Sequence, residues 1–422
     1  MVALVDCNSF FCSVEKVFHP GLSGKAVCVL SSNDGCIVAL TPEAKALGLR
    51  RGDPLFKVKG IVDANGVRIF SGNMKLYSAM SERIVRILRK SVARVENYSI
   101  DESFCYLDGY EQMYDLTEFM RDVAARILLY TDIPVSVGIA PTKTLAKIGS
   151  LFAKRFPGYR GVCTIDTEEK RLKALAMTDL GDVWGIGRRT LEKLNYYGVK
   201  STLALAEKKE SWIRLYFNKQ LYCTWLELNG KSCIDTAEVI RNQSICTSRS
   251  FGQSVDDYAS LQASVATFAS SCANKLRSQR ALASSITVFL YTNRFDAVQS
   301  QYSASETTCF LMPTSDTLEI SKAALDILRR IYIPGVRYKK SGVILGDISS
   351  CSSLQLDLFD TIKNRGQRVC LMKTIDTLNQ RYGPKTISTP IESCNTLHWQ
   401  VKSEYRTPNY LTDIHELLTV KI

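Results

Sequence analysis

The chain has 422 residues, a globular level of hydrophobic content (45%) and a net charge of +12, enough length for two to four domains with a sizeable core. The positive excess is spread along the chain, not gathered in a tail, which suits a polyanion, nucleic acid being the usual one. No apolar run is long enough to span a bilayer, and the acid at position six argues against a secretory leader, so no membrane role and a cytoplasmic location are expected.

Fourteen cysteines are scattered with no C-x-x-C pair, and His19, His398 and His415 are the only histidines. That pattern excludes an ordinary zinc site and reads as reduced thiols.

In chain order, VALVD (2–6) predicts a short buried strand, and Asn8 or Ser9 can cap a helix that starts near Phe10. AVCVLS (26–31) reads as a second strand, followed by a glycine-containing turn in SSNDGCIVA and a helical PEAKALG. Residues 76–90 have apolar residues at helical spacing. Residues 94–108 read as two strands around an acid pair, 115–130 as an amphipathic helix, and VSVGIA as a buried strand. The order β-α-β, then helices, then β-β-α-β is that of an α+β layer with helices on one face of a mainly antiparallel sheet. Helix resumes over 142–154, and 160–230 reads as short helices with glycine breaks. A small, polar linker runs near 231–242. A second α+β module covers 243–350, with strands in SICTSRSFG, SSITVFLY and GVILGDI and helices over 259–280 and 316–331. The tail beyond the serines near 350 carries no pattern that places it.

The acid pair Asp101-Glu102 sits in YSIDES (98–103), between the two strands. Adjacent carboxylates raise each other's energy. A solvated hairpin turn relieves that cost, and so does a divalent cation. Asp6 ends the first strand, and central strands of one small sheet bring their ends together. Three carboxylates at one sheet edge can hold two divalent cations for in-line phosphoryl transfer, and oxygen donors with room for water favour Mg²⁺.

Four segments in the same order, VDCNSFFCSVE (5–15), YSIDESF (98–104), GIAPTKTLAKIGSLFAK (138–154) and VWGIGRRTLEKL (183–194), resemble the Y-family translesion DNA polymerases. SSNDGCIVA with PEAKALG resembles the UmuC branch of that family, the catalytic subunits of bacterial DNA polymerase V. The resemblance runs from residue 1 to about 360. It implies a right-hand multidomain α+β polymerase: a ferredoxin-like palm (1–30 and 72–165), small fingers (31–71), a helical thumb with a helix-hairpin-helix motif (166–230), a linker (231–242), an α+β DNA-binding little finger (243–350) and a tail (351–422). It also implies error-prone, template-directed DNA synthesis in the SOS response, with dNTP as substrate and two Mg²⁺ ions.

The resemblance assigns roles residue by residue. Asp6, Asp101 and Glu102 are the catalytic acids and metal ligands, with the backbone carbonyl of Cys7 completing the set. Phe11 is the steric gate whose ring collides with a ribose 2′-hydroxyl, with Phe10 beside the sugar or base. Lys45 and Lys154 bind the triphosphate as point charges. One departure stands out: relatives show arginine where this chain reads Val38-Ala39-Leu40, so a cation facing the nucleotide is expected to be missing. Gly185, Gly187 and Arg188 resemble a hairpin that grips a DNA phosphate, although an ordinary αα turn fits the same residues. Ser248, Arg249 and Ser250 are candidates to line phosphates on a strand, with Arg277, Arg294 and Arg337 adding charge. Gln355, Leu356, Leu358 and Phe359 resemble a sliding-clamp-binding peptide. Implied partners are primer-template DNA, a homodimer of the processed UmuD-type subunit, a RecA filament and the clamp, with the chain at the nucleoid when active. Two rival readings are a catalytically silent Y-family accessory protein that bridges clamp and partners, and a nucleotide cyclase, in which thumb, little finger and clamp peptide would be superfluous.

Overall fold

The computed structural model describes residues 1–235, 242–296, 299–351, 364–383, 385–389, 391 and 399–418. They divide into two compact units, one of Met1–Ser31, Gly35–Val239 and Tyr405–Ile422, the other of Ser32–Asp34 and Ile240–Glu404.

The first unit opens with β1 (Val2–Cys7) and α1 (Phe10–Phe18). A small sheet follows, formed by β2 (Val27–Leu30), β3 (Ile37–Leu40) and β4 (Arg68–Ser71), with α2 (Pro42–Ala46) and α3 (Leu55–Ala64) between the last two. The chain continues through α4 (Met74–Ser91), β5 (Arg94–Asn97), β6 (Glu102–Tyr106), α5 (Leu116–Thr131), β7 (Val135–Ala140), α6 (Lys143–Arg155) and β8 (Val162–Thr164). Five short helices close it: α7 (Glu168–Met177), α8 (Arg188–Tyr196), α9 (Thr202–Ala206), α10 (Glu210–Tyr216) and α11 (Lys219–Leu228).

The main sheet has the order β5-β6-β1-β7-β8, antiparallel except for β7 with β8. Alternation along β1 sends Ala3, Val5 and Cys7 to one face, where α1, α4 and α5 pack, and Val2 and Leu4 to the other, where α6 and the short helices pack. Helices therefore cover both faces, not the one face expected. The strands carried the signal: VALV is apolar at every position and VSVGIA has one serine in an otherwise non-polar run, as strands buried on both sides are. Strand β2 lies in the small sheet, in the order β3-β2-β4, whereas the sequence reading grouped residues 27–30 with the first segment.

Helix α6 is seated by glycine. A Cβ on Gly138 in β7 would meet the Ala146 carbonyl oxygen at 2.0 Å and the Ser150 nitrogen at 2.1 Å, and one on Gly149 would meet the Gly138 Cα at 3.0 Å. Helix and strand touch backbone to backbone there, and Thr142 caps the helix by accepting from the Leu145 N–H.

Glu15, on α1, is fully buried in the same unit. Its Oε1 accepts from the Tyr77 hydroxyl (2.6 Å) and the Thr407 hydroxyl (3.2 Å), the latter from a tail segment that the sequence left unplaced.

The second unit is a four-stranded antiparallel sheet in the order β11-β10-β12-β9, built from β9 (Ile245–Val255), β10 (Ala281–Thr292), β11 (Ser303–Thr314) and β12 (Tyr338–Ser350). Helices α12 (Tyr258–Ser278) and α13 (Thr317–Ile331) supply its core. Tail helix α14 (Arg365–Tyr382) is held by ion pairs: Arg277 with Asp376 (2.6 Å), Arg368 with Asp316 (2.6 Å) and Arg365 with Glu319 (3.2 Å). Among the described residues no helix is long and apolar enough to cross a membrane.

Two outcomes are expected. Gly138→Ala destabilises the protein by at least ~3 kcal/mol through a backbone clash, while Gly158→Ala, whose Cβ meets nothing within 4 Å, is neutral within about 0.5 kcal/mol; thermal unfolding compares them. Burial raises the Glu15 carboxyl from 4.5 to about 7, against the hydrogen bonds of Tyr77 and Thr407. A raised folded-state value means the group's stabilisation is full below pH 4.5 and is lost as pH rises to about 7, a loss of roughly 3 kcal/mol. Glu15→Gln removes that slope between pH 4.5 and 7; unfolding curves of equal pH slope for variant and wild type would show the assignment wrong.

Candidate active site

The acids meet at one end of the main sheet. Asp6, near the end of β1, stands opposite Glu102, the first residue of β6, in the antiparallel register. The Cys7 N–H donates to the Asp101 carbonyl oxygen at 2.9 Å, which fixes the turn holding the acid pair. Ser99 shapes the same turn: its hydroxyl donates to Asp101 Oδ1 (2.6 Å) and accepts from the Glu102 N–H (3.0 Å).

Alternation places Asp6 and Glu102 on the α6 face, and α6 answers with lysines. Lys143 pairs with Glu96 (2.9 Å), Lys147 with Glu102 (3.0 Å) and Lys154 with Asp6 (2.8 Å). Spacings of four and seven residues keep the three on one helical stripe. The ladder runs from a lysine only 4% exposed at Lys143, through 18% at Lys147, to 40% at Lys154. Lys147 was missed in the sequence, although its position one stripe from Lys154 was there to be read. Its ammonium also lies over the rings of Tyr98 (4.6 Å) and Trp184 (5.1 Å), an arrangement that favours a cation electrostatically.

Burial raises the Glu102 carboxyl above its ordinary value; Lys147 pulls it down, and Asp6 and Asp101 push it up again. Among the described residues no three His, Cys, Asp or Glu side chains stand together as a metal-ion site; each acid has a lysine or hydroxyl partner instead. The donor set is nonetheless one a hard divalent cation fits: carboxylate oxygens in mutual repulsion, next to solvent. Burial pushes the Cys7 thiol far up, so that side chain stays a neutral core group and only its backbone is available to a ligand.

The two phenylalanines divide. Phe10 is buried in the core (3% exposed). Phe11 is half-buried, and its ring stacks on Tyr77 with centroids 4.6 Å apart and planes at 17°. Lys45 is exposed on α2, outside the lysine ladder. Leu40 is buried in the small sheet's core, so an apolar contact occupies that position. The hydroxyl of Ser9, the residue before α1, donates to the Leu40 carbonyl and does not cap the helix.

The glycine hairpin is built as a tight turn. Gly185 has φ +90°, and a Cβ there would meet the Thr224 hydroxyl at 2.6 Å. Gly187 precedes α8 with no side-chain cap, and Arg188 is exposed beside Glu192. Trp184 anchors the hairpin to the acid turn through a hydrogen bond to the Tyr98 hydroxyl (3.2 Å). In the second unit, Ser248, Arg249 and Ser250 lie on edge strand β9, opposite Gly342, Ser341 and Lys340. Arg277 is occupied by Asp376, the Ser315 carbonyl and Thr317, so its charge holds α14 and does not serve an open phosphate site as expected. Arg337 faces Asp296 at 3.8 Å, and Arg294 lies over Phe295. Gln355, Leu356, Leu358 and Phe359 lie outside the described residues.

Comparison with known proteins gives the class. Residues 5–151 match the impB/mucB/samB family, 242–358 match its C-terminal domain, and 370–420 match a domain of unknown function, DUF4113. Protein UmuC of Salmonella typhimurium is 41% identical over the whole of both chains, and Protein ImpB of Salmonella typhimurium is 38% identical over 98% of this chain and 97% of its own. A DNA polymerase IV of Saccharolobus solfataricus is 35% identical over 47% of this chain and 56% of its own. Among solved structures, a Y-family DNA polymerase chimera of Dbh and Dpo4 superposes with a TM-score of 0.64, covering 83% of this chain and 99% of its own at 23% identity, which bears on the fold. The class that results is the Y-family of DNA-directed DNA polymerases. Within it, this chain belongs to the impB/mucB/samB family, with UmuC among its relatives.

A cation-binding signature is expected in stability. Mg²⁺ or Mn²⁺ raises the unfolding temperature of the wild type by binding the folded state. Asp101→Asn removes one of three repelling acids, raises the metal-free stability by about 1 kcal/mol or less, and abolishes the cation-dependent rise. A variant that keeps that rise would remove Asp101 from the ligand set.

Proposed function

We propose that this chain is an error-prone, template-directed DNA polymerase that performs translesion synthesis in the SOS response to DNA damage, and that Asp6, Asp101 and Glu102 are its catalytic acids. The observation that carries this reading is the register of Asp6 opposite Glu102, with Asp101 tied to Cys7 at the same sheet edge.

These three carboxylates, with the Cys7 backbone carbonyl, would hold two Mg²⁺ ions, which would supply a lowered pKa at the primer 3′-hydroxyl and charge neutralisation for the triphosphate and the leaving pyrophosphate. The protein's own groups orient the reactants. Lys154, the most solvent-open lysine of the ladder, and Lys45 bind the triphosphate of the incoming dNTP. The Phe11 ring passes a deoxyribose and bars a 2′-hydroxyl. With Leu40 buried in the small sheet's core, that position offers the nucleotide no cation.

The palm takes in 1–30 and 72–165 apart from β2, the fingers 31–71 with β2, the thumb 166–230, the linker 231–242, the little finger 243–350 and the tail 351–422. Gly185, Gly187 and Arg188 in the thumb and Ser248, Arg249 and Ser250 in the little finger grip primer-template phosphates, a contact blind to sequence. The likeness to UmuC supports a homodimer of the UmuD-type subunit as partner. A RecA filament completes the active assembly, and the clamp binds through Gln355, Leu356, Leu358 and Phe359. The location is the bacterial cytoplasm, at the nucleoid when active. The presence of all three acids in one place disfavours a silent accessory protein.

Primer extension with Mg²⁺, dNTPs or rNTPs and these partners tests the reading. The wild type extends a primed template with dNTPs; Asp101→Asn loses roughly a hundredfold or more of the rate; Phe11→Ala incorporates ribonucleotides. A wild type that binds primed DNA but adds no nucleotide with every partner present overturns the catalytic assignment.

A further inference from the structure

A selective ring must be held still, and Phe11 stacks on a tyrosine whose hydrogen-bond partner, Glu15, is also held from the tail. Its ring stacks on Tyr77, which is fully buried at the start of α4. The Tyr77 hydroxyl donates to Glu15 Oε1 at 2.6 Å, and the Thr407 hydroxyl donates to the same oxygen at 3.2 Å. Thr407 is itself clamped: Asn73 Nδ2 donates to its carbonyl at 2.9 Å, while Asn73 Oδ1 caps α4 by accepting from the Leu76 N–H. On one side, Ser71 and Tyr405 exchange two hydrogen bonds, Ser71 N–H to the Tyr405 carbonyl (3.0 Å) and Tyr405 N–H to the Ser71 hydroxyl (2.9 Å). On the other, Tyr410 stacks on Phe18 of α1 with centroids 4.8 Å apart.

We infer that residues 405–410 form a strap that fixes the sugar gate, with Tyr77 as the positioning residue and the Thr407–Glu15–Tyr77 hydrogen bonds as the link; this rests on Phe11 being the gate. The strap bridges both elements that carry the stack. Tyr410 holds α1, which bears Phe11; Asn73 and Tyr405 hold the entry to α4, which bears Tyr77. Glu15, on α1, accepts from α4 and from the tail at once, so loss of the tail hydroxyl leaves a buried carboxylate short of a donor. The ring then has more room to move away from a ribose. Sugar selection in this polymerase is thus set in part by a segment within the match to a domain of unknown function.

The test uses the full chain with the partners named above and measures kcat/KM for dNTP and rNTP addition. Thr407→Val, which keeps shape and removes the hydroxyl, lowers the dNTP-over-rNTP ratio by about tenfold, the scale of one hydrogen bond to a charged group, with dNTP addition little changed and the unfolding temperature lowered by the buried acceptor left short of a donor. Thr407→Ser retains the ratio. Tyr77→Ala lowers it further, towards Phe11→Ala. In a Phe11→Ala background, Thr407→Val has no further effect on the ratio. A Thr407→Val ratio equal to that of the wild type, alongside a Phe11→Ala protein that accepts rNTPs, overturns the strap and leaves the gate standing. A Phe11→Ala protein that still rejects rNTPs, or a wild type that extends nothing, overturns the gate and the strap with it. An unchanged ratio in Tyr77→Ala also overturns the inference.

Discussion

The backbone contact between Gly138 of β7 and Gly149 of α6 is the constraint on which the acid site depends. It brings the helix close enough for Lys147 and Lys154 to reach carboxylates rooted in β6 and β1. Without lysines at that distance, Asp6, Asp101 and Glu102 would crowd one sheet edge with no neutralising charge at all. Ion pairs of this kind add little net stability, because desolvation offsets much of the attraction. Their value is positional. The innermost pair, Lys143 with Glu96, is nearly buried and holds the ladder in register, whereas Lys154 with Asp6 is open to solvent. An open pair is the one that can exchange a protein partner for a ligand.

Aromatic packing continues the same economy of contacts. Tyr98, beside the acid pair, meets Trp184 of the glycine hairpin edge to face at 5.5 Å, and Lys147 caps both rings. One lysine therefore touches the acid turn and the hairpin proposed to grip DNA. A hairpin anchored in this way cannot shift without disturbing Glu102, so the proposed phosphate grip and the proposed catalytic acids share one support. The second unit is built by a different rule. Its strands are eleven to thirteen residues long and pair in one antiparallel sheet, which presents edge strand β9 with its serines and arginine along a line.

Much of this was legible in the sequence, and the limits have physical causes. The acids, the YSIDES hairpin, α5 and α6 follow from period, caps and charge, all local properties. Strand β11 (SASETTCFLMPT) was not read because it alternates polar residues on its open face and is fixed by its pairing with β10. Helix α14 buries Met372 and little else, so it lacks the apolar stripe that marks a helix; it is held by arginines meeting carboxylates on distant elements. Those partners also explain why the role of Arg277 was left open between added charge and an ordinary surface residue. A sequence shows an arginine's charge but not the Asp376 that already occupies it. Phe10 and Phe11 are adjacent and chemically identical, and only the packing of α1 against α4 decides which of them is core.

The tail poses the sharpest case of non-local design. Thr407 lies 392 residues from Glu15, and no local pattern can announce that contact. Glu15 itself looks in the sequence like one more helix-surface acid; in the fold it is buried, and its carboxyl is lifted to about 7. A group so costly to bury needs donors, and the only side-chain donors that reach it, among the described residues, are Tyr77 and Thr407. One of these carries the ring under Phe11, and the other ends the strap. A gate made of stacked rings discriminates by sterics, and sterics are only as sharp as the support is stiff. In the proposed gate, discrimination of the sugar depends on the stiffness of the rings behind Phe11.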